Sequence, residues 1–272
     1  MKEILRLENI YFSYEKKHPA LENISLRVAE GERIALLGNN GAGKSTFFLC
    51  CNGILKPDSG NIYLKGQKLT GNRKDTLALH ENVGLIFQDS DHQIIGSTVE
   101  TEISFGPMNL KLAPCEIKER TEKAIADMDL KNLRTRAPQY LSGGEKKRVA
   151  IADILAMNPS LLLLDEPASC LDSANTRLLE ENLEKFSLRG FPLIIATHDV
   201  DFAWKWAKRI LIFHQGRLIA DDSPEKIFAR KSLLSMCGLA QPLLYQTGEL
   251  LGMNPLPKTM EELSLHISSS PA

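Results

Sequence analysis

Long hydrophobic runs are missing from this chain. None of its 272 residues sits in an apolar stretch that approaches the ~20 residues needed to cross a bilayer. The start, Met1-Lys2-Glu3, lacks the core of a signal peptide. The expectation is a chain that stays in the cytosol and meets any membrane through a partner. An excess of one charge is missing too. Lys and Arg number 33 against 34 Asp and Glu, a net charge of −1, which excludes a broad electrostatic footprint for nucleic acid or anionic lipid. The five cysteines stand at 50, 51, 115, 170 and 237. An odd count with no Cys-x-x-Cys spacing implies neither a disulfide framework nor a zinc site, and small buried hydrophobes are the expected role. There is no internal repeat and no low-complexity segment. What remains is 43% hydrophobic and 25% charged, a globular composition with a sizeable core in one large or two small domains.

The stretch that organises the rest is Gly38-Asn39-Asn40-Gly41-Ala42-Gly43-Lys44-Ser45-Thr46. The apolar run Arg33 to Leu37 before it is short enough for a buried strand, and Thr46 to Cys51 after it is read as a helix. Strand, glycine loop and helix together make a phosphate cradle. The glycines let the backbone turn tightly and bring successive N–H groups to a polyphosphate, and the helix start adds its positive dipole end. Lys44 then reaches the β- and γ-phosphates, and Ser45 or Thr46 offers Mg²⁺ a hydroxyl, with Ser45 at the motif position.

Ahead of the cradle, Ile4 to Ile10 alternates as a half-buried strand and runs into Tyr11-Phe12-Ser13-Tyr14. From the residues alone, Tyr14 either stacks on a base or packs as an ordinary aromatic. Leu21 to Val28 alternates again, which suggests an antiparallel edge layer. Lys56 to Gly60 breaks the pattern, Asn61 to Gln67 is strand plus turn, and Val83 to Phe87 is the next buried strand, ending at Gln88. A glutamine just past a strand end can touch a metal or its water. Read from the residues alone, a solvated loop amide is the plainer interpretation.

From Thr98 to Tyr140 the texture becomes helical, with an amphipathic helix over Cys115 to Leu130 after Pro114. A helical subdomain is therefore expected at about 98–157, inserted into the sheet domain. It ends in Leu141-Ser142-Gly143-Gly144-Glu145, where Ser142 caps a helix running towards Met157. That start is a second anion-binding candidate beside a plain cap. Four leucines from Leu161 make a strand buried on both faces, with Asp165 and Glu166 at its carboxyl end. Such a pair suits Mg²⁺ binding at Asp165 and activation of the attacking water at Glu166. Leu193 to Thr197 repeats the design and presents His198, a donor to the γ-phosphate or a holder of the water. Arg209 to Phe213 and Arg217 to Ala220 flank Gln215-Gly216 as a hairpin, and Ser223-Pro224-Glu225 starts a short helix. Further on, Thr259 and Glu262 have capping-box spacing.

This combination, together with Ser169-Cys170-Leu171-Asp172, resembles the ATP-binding-cassette (ABC) ATPases over residues 3 to about 230. The resemblance implies an α/β fold: a P-loop ABC-ATPase core with a mixed sheet and an antiparallel β subdomain, the inserted helical subdomain, and a small C-terminal helical extension. The division it implies is a nucleotide-binding domain at 1–235 and an extension at 236–272 that serves as a dimerisation segment. It implies ATP and Mg²⁺ as cofactors, with Tyr14 on adenine, Gly38 to Thr46 on the phosphates, and Ser45, Gln88 and Asp165 toward the metal. Lys44, Gln88, Glu166 and His198 are then the catalytic set, and Ser142, Gly143 and Gly144 meet nucleotide held by a second subunit. Two residues depart from the pattern. Glu145 stands where the signature usually has Gln, and Cys170 where a small residue is usual, so communication between paired sites is in question more than hydrolysis.

The stretch Phe87-Gln88-Asp89-Ser90-Asp91-His92-Gln93-Ile94-Ile95, with Thr98-Val99-Glu100, Phe105-Gly106-Pro107 and Pro255 to Leu263, resembles the ATPases of energy-coupling-factor importers, most closely the cobalt-import type. That implies a peripheral ATPase on the cytoplasmic face of the cell membrane that drives cobalt or nickel uptake. Its partners would be a second ATPase subunit, identical or related, a membrane coupling subunit and a substrate-capturing membrane subunit, with no nucleic acid. Gln93 would lie by the groove that receives coupling helices, unless it is a plain loop amide. The alternatives are the shared ATPase of a vitamin-type importer, and an ATP-switched module outside transport. A GTPase or small-molecule kinase leaves Ser142 to Glu145 unexplained, and the chain has no guanine-reading Asn-Lys-x-Asp stretch.

Overall fold

The computed structural model describes residues 2–15, 18–89 and 93–269. Ser90, Asp91 and His92 of the motif after Gln88 therefore lie outside the described residues, as do residues 270–272 of the extension. The chain opens with β1 (Glu3–Glu15), β2 (His18–Ala29) and β3 (Arg33–Leu37), then α1 (Lys44–Asn52), β4 (Ser59–Leu64), β5 (Gln67–Lys68), α2 (Arg73–Asn82) and β6 (Val83–Ile86). Three helices follow, α3 (Val99–Asn109), α4 (Pro114–Asp127) and α5 (Gly143–Ala156). After them come β7 (Leu161–Asp165), α6 (Ser173–Leu188), β8 (Leu193–Ala196), α7 (Val200–Trp206), β9 (Arg209–His214) and β10 (Arg217–Asp222). The chain finishes in α8 (Pro224–Phe228), α9 (Lys231–Met236), α10 (Leu243–Leu250) and α11 (Met260–Ser269).

Two sheets carry the strands. The antiparallel one runs β2-β1-β4-β5 and the mixed one β10-β9-β3-β8-β7-β6, parallel except where β10 returns beside β9. The mixed sheet is buried on both faces, and the side-chain period of two sorts its residues between two cores. Ile34, Leu36, Leu161, Leu163 and Ile194 face α1 and the antiparallel sheet. Ala35, Leu37, Leu162, Leu164, Leu193 and Ile195 face the other way, toward a core shared with Ile103, Ile125, Ile151, Trp204 and Phe228 from helices α3, α4, α5, α7 and α8. Helices α3, α4 and α5 pack on one another. The first of them starts from a capping box in which Thr98 and Thr101 bond each other's backbone.

Several expectations shift in detail. The aromatic stretch Tyr11 to Tyr14 belongs to β1 rather than following it, because Phe12 is buried and pairs across with Leu21. Helix α1 begins at Lys44, two residues before the expected start, with Gly43 as its cap. Ser223 precedes Pro224 in extended geometry but makes no side-chain cap bond. Of the cysteines, Cys50, Cys51 and Cys237 are buried as small hydrophobes, whereas Cys115 and Cys170 are exposed. Cys115 falls on the side of α4 away from the buried Ala124, and Cys170 lies in the loop before α6. Among the described residues no helix is long and apolar enough to cross a membrane.

Candidate functional site

Strands β3, β6, β7 and β8 run parallel, so their carboxyl ends open on one edge of the sheet, where ligands bind in such folds. The loop after β3 is the glycine cradle. Gly43 caps α1 at φ 102°, and a Cβ there would lie 2.8 Å from the carbonyl of Ala20, so only glycine fits. It offers no capping side chain and α1 has no acid in its first turn, which leaves the helix-end N–H groups available to an anion. Lys44 is buried and its Nζ donates to the carbonyls of Gly38 at 2.6 Å and Asn39 at 3.2 Å. The β9–β10 turn braces the cradle: Gly216 N–H donates to Ala42 O at 3.0 Å.

A cleft of about 570 Å³ lies over this loop. Tyr14, Asn39, Asn40, Gly41, Ala42, Gly43, Lys44, Ser45, Thr46, Gln88, Asp165 and Glu166 all line it, so most of the residues singled out in the sequence converge. Tyr14 stands at its mouth, exposed, with its hydroxyl 3.2 Å from Thr46 Oγ1 and its ring edge-on to Phe12. Gly38 lies beneath the cleft as the buried carbonyl that holds Lys44. The sequence reading missed that Pro19, Ala20, Gln215 and Gly216 also line it. The only signal was the hairpin turn, and nothing local said where that turn would fold back.

Asp165 ends β7 and Glu166 follows at φ 44°, a left-handed conformation rare outside glycine. That geometry is held by Glu166 N–H to Ala196 O, 2.9 Å. One carboxylate oxygen, Oε2, meets His198 Nδ1 at 3.0 Å; the other, Oε1, is buried and has no partner among the described residues. Burial pushes the Asp165 carboxyl up from its ordinary range and the neighbouring Glu166 adds to this, while the Ser45 hydroxyl bond and the Lys44 and Lys147 charges pull the other way. Burial likewise pulls Lys44 down, against the charges of Glu166 and Asp165.

Gln88 reaches the cleft from an exposed loop whose backbone is fixed from a distance. Lys147, buried in α5, donates its Nζ to Phe87 O at 3.1 Å and Gln88 O at 2.7 Å. The sequence reading also passed over this lysine, although its place on the apolar side of α5 with Gly144 and Ile151 was the available signal. Gln93 turns inward: its Nε2 donates to Leu85 O at 3.3 Å and its Oε1 accepts from Phe87 N at 3.4 Å. It clasps the end of β6 rather than presenting a free loop amide.

Ser142, Gly143 and Gly144 do not line the cleft. They start α5, where Ser142 Oγ accepts from Glu145 N at 3.3 Å and Glu145 Oε2 accepts from Ser142 N at 2.7 Å. Those Ser142 bonds, the backbone one first, hold the Glu145 carboxyl below its ordinary range. Gly144 packs directly on the side chain of Asn175, whose N–H donates to the α6 cap Asp172, so the starts of α5 and α6 lie against each other.

The donor set suits Mg²⁺. The Ser45 hydroxyl bonds the Asp165 carboxylate and Gln88 lines the same cleft, all hard oxygen donors, beside the unpartnered Glu166 Oε1. Among the described residues no three His, Cys, Asp or Glu side chains gather to hold a metal unaided, so a bound Mg²⁺ would need further oxygen donors from nucleotide or water.

Comparison with known proteins is consistent with this geometry. Residues 21–169 match the family model described as ABC transporter. The chain is 40% identical over 97% of its length to the energy-coupling factor transporter ATP-binding protein EcfA2 of Methanospirillum hungatei, covering 68% of that protein. It is 41% identical over 90% of its length to the cobalt import ATP-binding protein CbiO of Rhodobacter capsulatus, covering 87% of it. Among solved structures, cbiO1 of Clostridium perfringens, described as part of the ABC transporter complex cbiONQ, aligns with a TM-score of 0.78 at 35% identity, over 93% of this chain and all of that one (100%). A dimeric ATP-binding cassette, MJ0796, in a post-hydrolysis state with ADP and Pi aligns with a TM-score of 0.71 at 26% identity, over 81% of this chain and 99% of that one.

Proposed function

The chain belongs to the ABC transporter family, as an ATP-binding subunit of the energy-coupling-factor and CbiO type, and from that premise we propose that it drives uptake of cobalt or nickel ions. In this reading it hydrolyses ATP while docked on the cytoplasmic face of the cell membrane. It works as one of two paired ATPase subunits beneath a membrane coupling subunit and a substrate-capturing subunit. Residues 1–235 form the nucleotide-binding domain, with the helical subdomain at about 98–157, and residues 236–272 form an extension that helps the pair assemble.

The observation that carries the hydrolytic reading is the Glu166 carboxylate, with one oxygen 3.0 Å from His198 Nδ1 and the other buried without a partner. A carboxylate fixed on one side orients a water on the other and takes its proton as the water attacks phosphorus. Lys44 and the α1 N–H groups bind the phosphates and draw off the developing negative charge. His198 holds Glu166 in place and faces the γ-phosphate. Tyr14 stacks on adenine. Ser45, Asp165 and Gln88 would hold Mg²⁺, which when bound neutralises charge on the β- and γ-phosphates. Ser142, Gly143 and Gly144, outside the cleft of their own chain, serve the nucleotide of the partner subunit.

The test is Glu166→Gln. It keeps ATP binding, lowers turnover by about 100-fold or more, and yields a dimer stable to gel filtration with ATP. Hydrolysis at the parent rate would remove Glu166 from the mechanism. Of the relatives, CbiO is named for cobalt import and EcfA2 names no cargo, so metal uptake stands against uptake of another substrate by the same type of ATPase. Purifying the complex from membranes, identifying its companions and measuring its metal content separates the two.

A further inference from the structure

The segment after α8 is bolted to the helix that follows His198. Asp201, in the first turn of α7, accepts the backbone N–H of Leu243 at 2.6 Å. Trp204, 1% exposed at the centre of the same helix, donates its indole N–H to Pro257 O at 2.8 Å. Its ring meets Phe228 and Tyr245 edge-on, with centroids 6.0 and 5.1 Å away, and Lys258 Nζ stands 4.7 Å above it. Gly248 of α10 packs so tightly on Pro257 and Leu256 that a side chain there has no room. Helix α7 is only seven residues long, and its cap, Asp199, is the neighbour of His198. Such a short helix has no rigidity of its own beyond its packing, and His198 stands between its cap and the end of β8, where Thr197 N–H donates to Leu36 O at 3.1 Å.

A second junction reaches the same cleft from another side. Gly238, at φ +63°, passes over the phosphate loop so closely that a Cβ there would come within 2.7 Å of Asn39 Nδ2. Asn39 lines the cleft, and its carbonyl is one of the two that hold Lys44. One continuous segment, 238–257, therefore touches both halves of the site: the phosphate loop and the helix behind the histidine.

We propose that this C-terminal segment positions the hydrolytic site, with Asp201 and Trp204 acting as positioning residues for His198 and Gly238 steadying the Asn39 corner of the phosphate loop. The inference rests on the role given to His198 above. A shift of about 1 Å in a catalytic group costs up to about 100-fold in rate, so loosening one bolt slows turnover without weakening nucleotide binding.

The experiment compares Asp201→Ala, Asp201→Asn, Trp204→Phe and His198→Ala in the full chain, measuring kcat and KM for ATP beside thermal stability. Asparagine still accepts the Leu243 N–H whereas alanine does not. The expected result is a kcat about tenfold lower for Asp201→Ala, with KM unchanged, and recovery to near the parent rate for Asp201→Asn. Trp204→Phe, which keeps the ring contacts but loses the bond to Pro257, is expected to cost about threefold in kcat and nothing further when His198 is already alanine. Parent-rate turnover in Asp201→Ala, or equal slowing by alanine and asparagine, overturns the inference alone. Parent-rate turnover in His198→Ala overturns the role of the histidine and the inference with it.

Discussion

Two helix starts in this molecule are built in opposite ways. Helix α1 begins at a glycine with no capping side chain, no acid in its first turn, and a buried lysine as its first residue. Helix α5 begins at a serine closed by a capping box, and the acid that closes it, Glu145, already holds the Ser142 N–H. The first end is built open: no side chain caps it, and its lysine is held only by the loop carbonyls of Gly38 and Asn39. The second has its Ser142 and Glu145 N–H groups satisfied within its own chain. An anion arriving at α5 must share the end with a carboxylate, so binding there is expected to be weaker and to depend on a ligand already anchored elsewhere.

The sharpest way to break that contrast is to remove its cation. Lys44→Ala leaves the α1 end with dipole and N–H groups alone, and ATP turnover is expected to fall by about 100-fold or more, measured as phosphate release at saturating nucleotide. If turnover survives, the open end works without its lysine and the distinction between the two helices is one of capping only. A second test uses the far end of α5. Asp153 there has a buried, unpartnered Oδ1, and burial, with Glu102 nearby, pushes its pKa to about 7 from 3.8. A carboxyl with a raised folded pKa binds its proton more tightly in the folded state, so its contribution to stability falls as pH rises from about 4 to about 7 and is flat above. Asp153→Asn removes that loss. It is expected to gain on the order of 2 kcal/mol relative to the parent between pH 5 and pH 8, read from urea midpoints at the two values. Equal shifts at both pH values would show that Asp153 does not titrate in this window.

The smallest effect belongs to the acid that closes α5. Glu145→Gln keeps a capping side chain but removes the charge, and the ATP concentration that half-saturates dimer formation is expected to drop by about three- to tenfold. No change in half-saturation would mean that the carboxylate turns away when an anion arrives, and that the α5 end is as open in use as α1. The closing acid has its own pH signature. Its pKa is lowered in the folded state, so the capping contribution is present above about 4.5 and is lost as pH falls through the lowered value.

The parts of the site legible in the sequence were those written in neighbouring residues. The strand, glycine loop and helix around Gly38 to Thr46, the acids after four leucines, and the cap at Ser142 each lie within about ten positions, where period and turn chemistry act directly. Lys147 was passed over because its partners, the carbonyls of Phe87 and Gln88, are 60 and 59 residues away. For Gln93 the residues alone allow a groove position or a loop amide, and the bonds to Leu85 and Phe87 that hold it at the end of β6 come from a fold-back no local pattern marks. The cysteines show the same limit, since five of one residue type divide into three buried and two exposed by the face or loop each happens to occupy.

The amino-acid order by itself determined the buried strands, the cap at Ser142 and where the phosphate cradle falls, because hydrophobic period, glycine freedom and capping are properties of short stretches of chain. Only the tertiary structure decided that Glu166 meets His198 across 32 residues, that Lys147 holds the loop of Gln88, and that Leu243 and Pro257 grip α7. Those contacts come from the order of strands in the mixed sheet and the packing of helices over it. Such contacts form when distant residues are buried together, and no local pattern encodes which of them will meet.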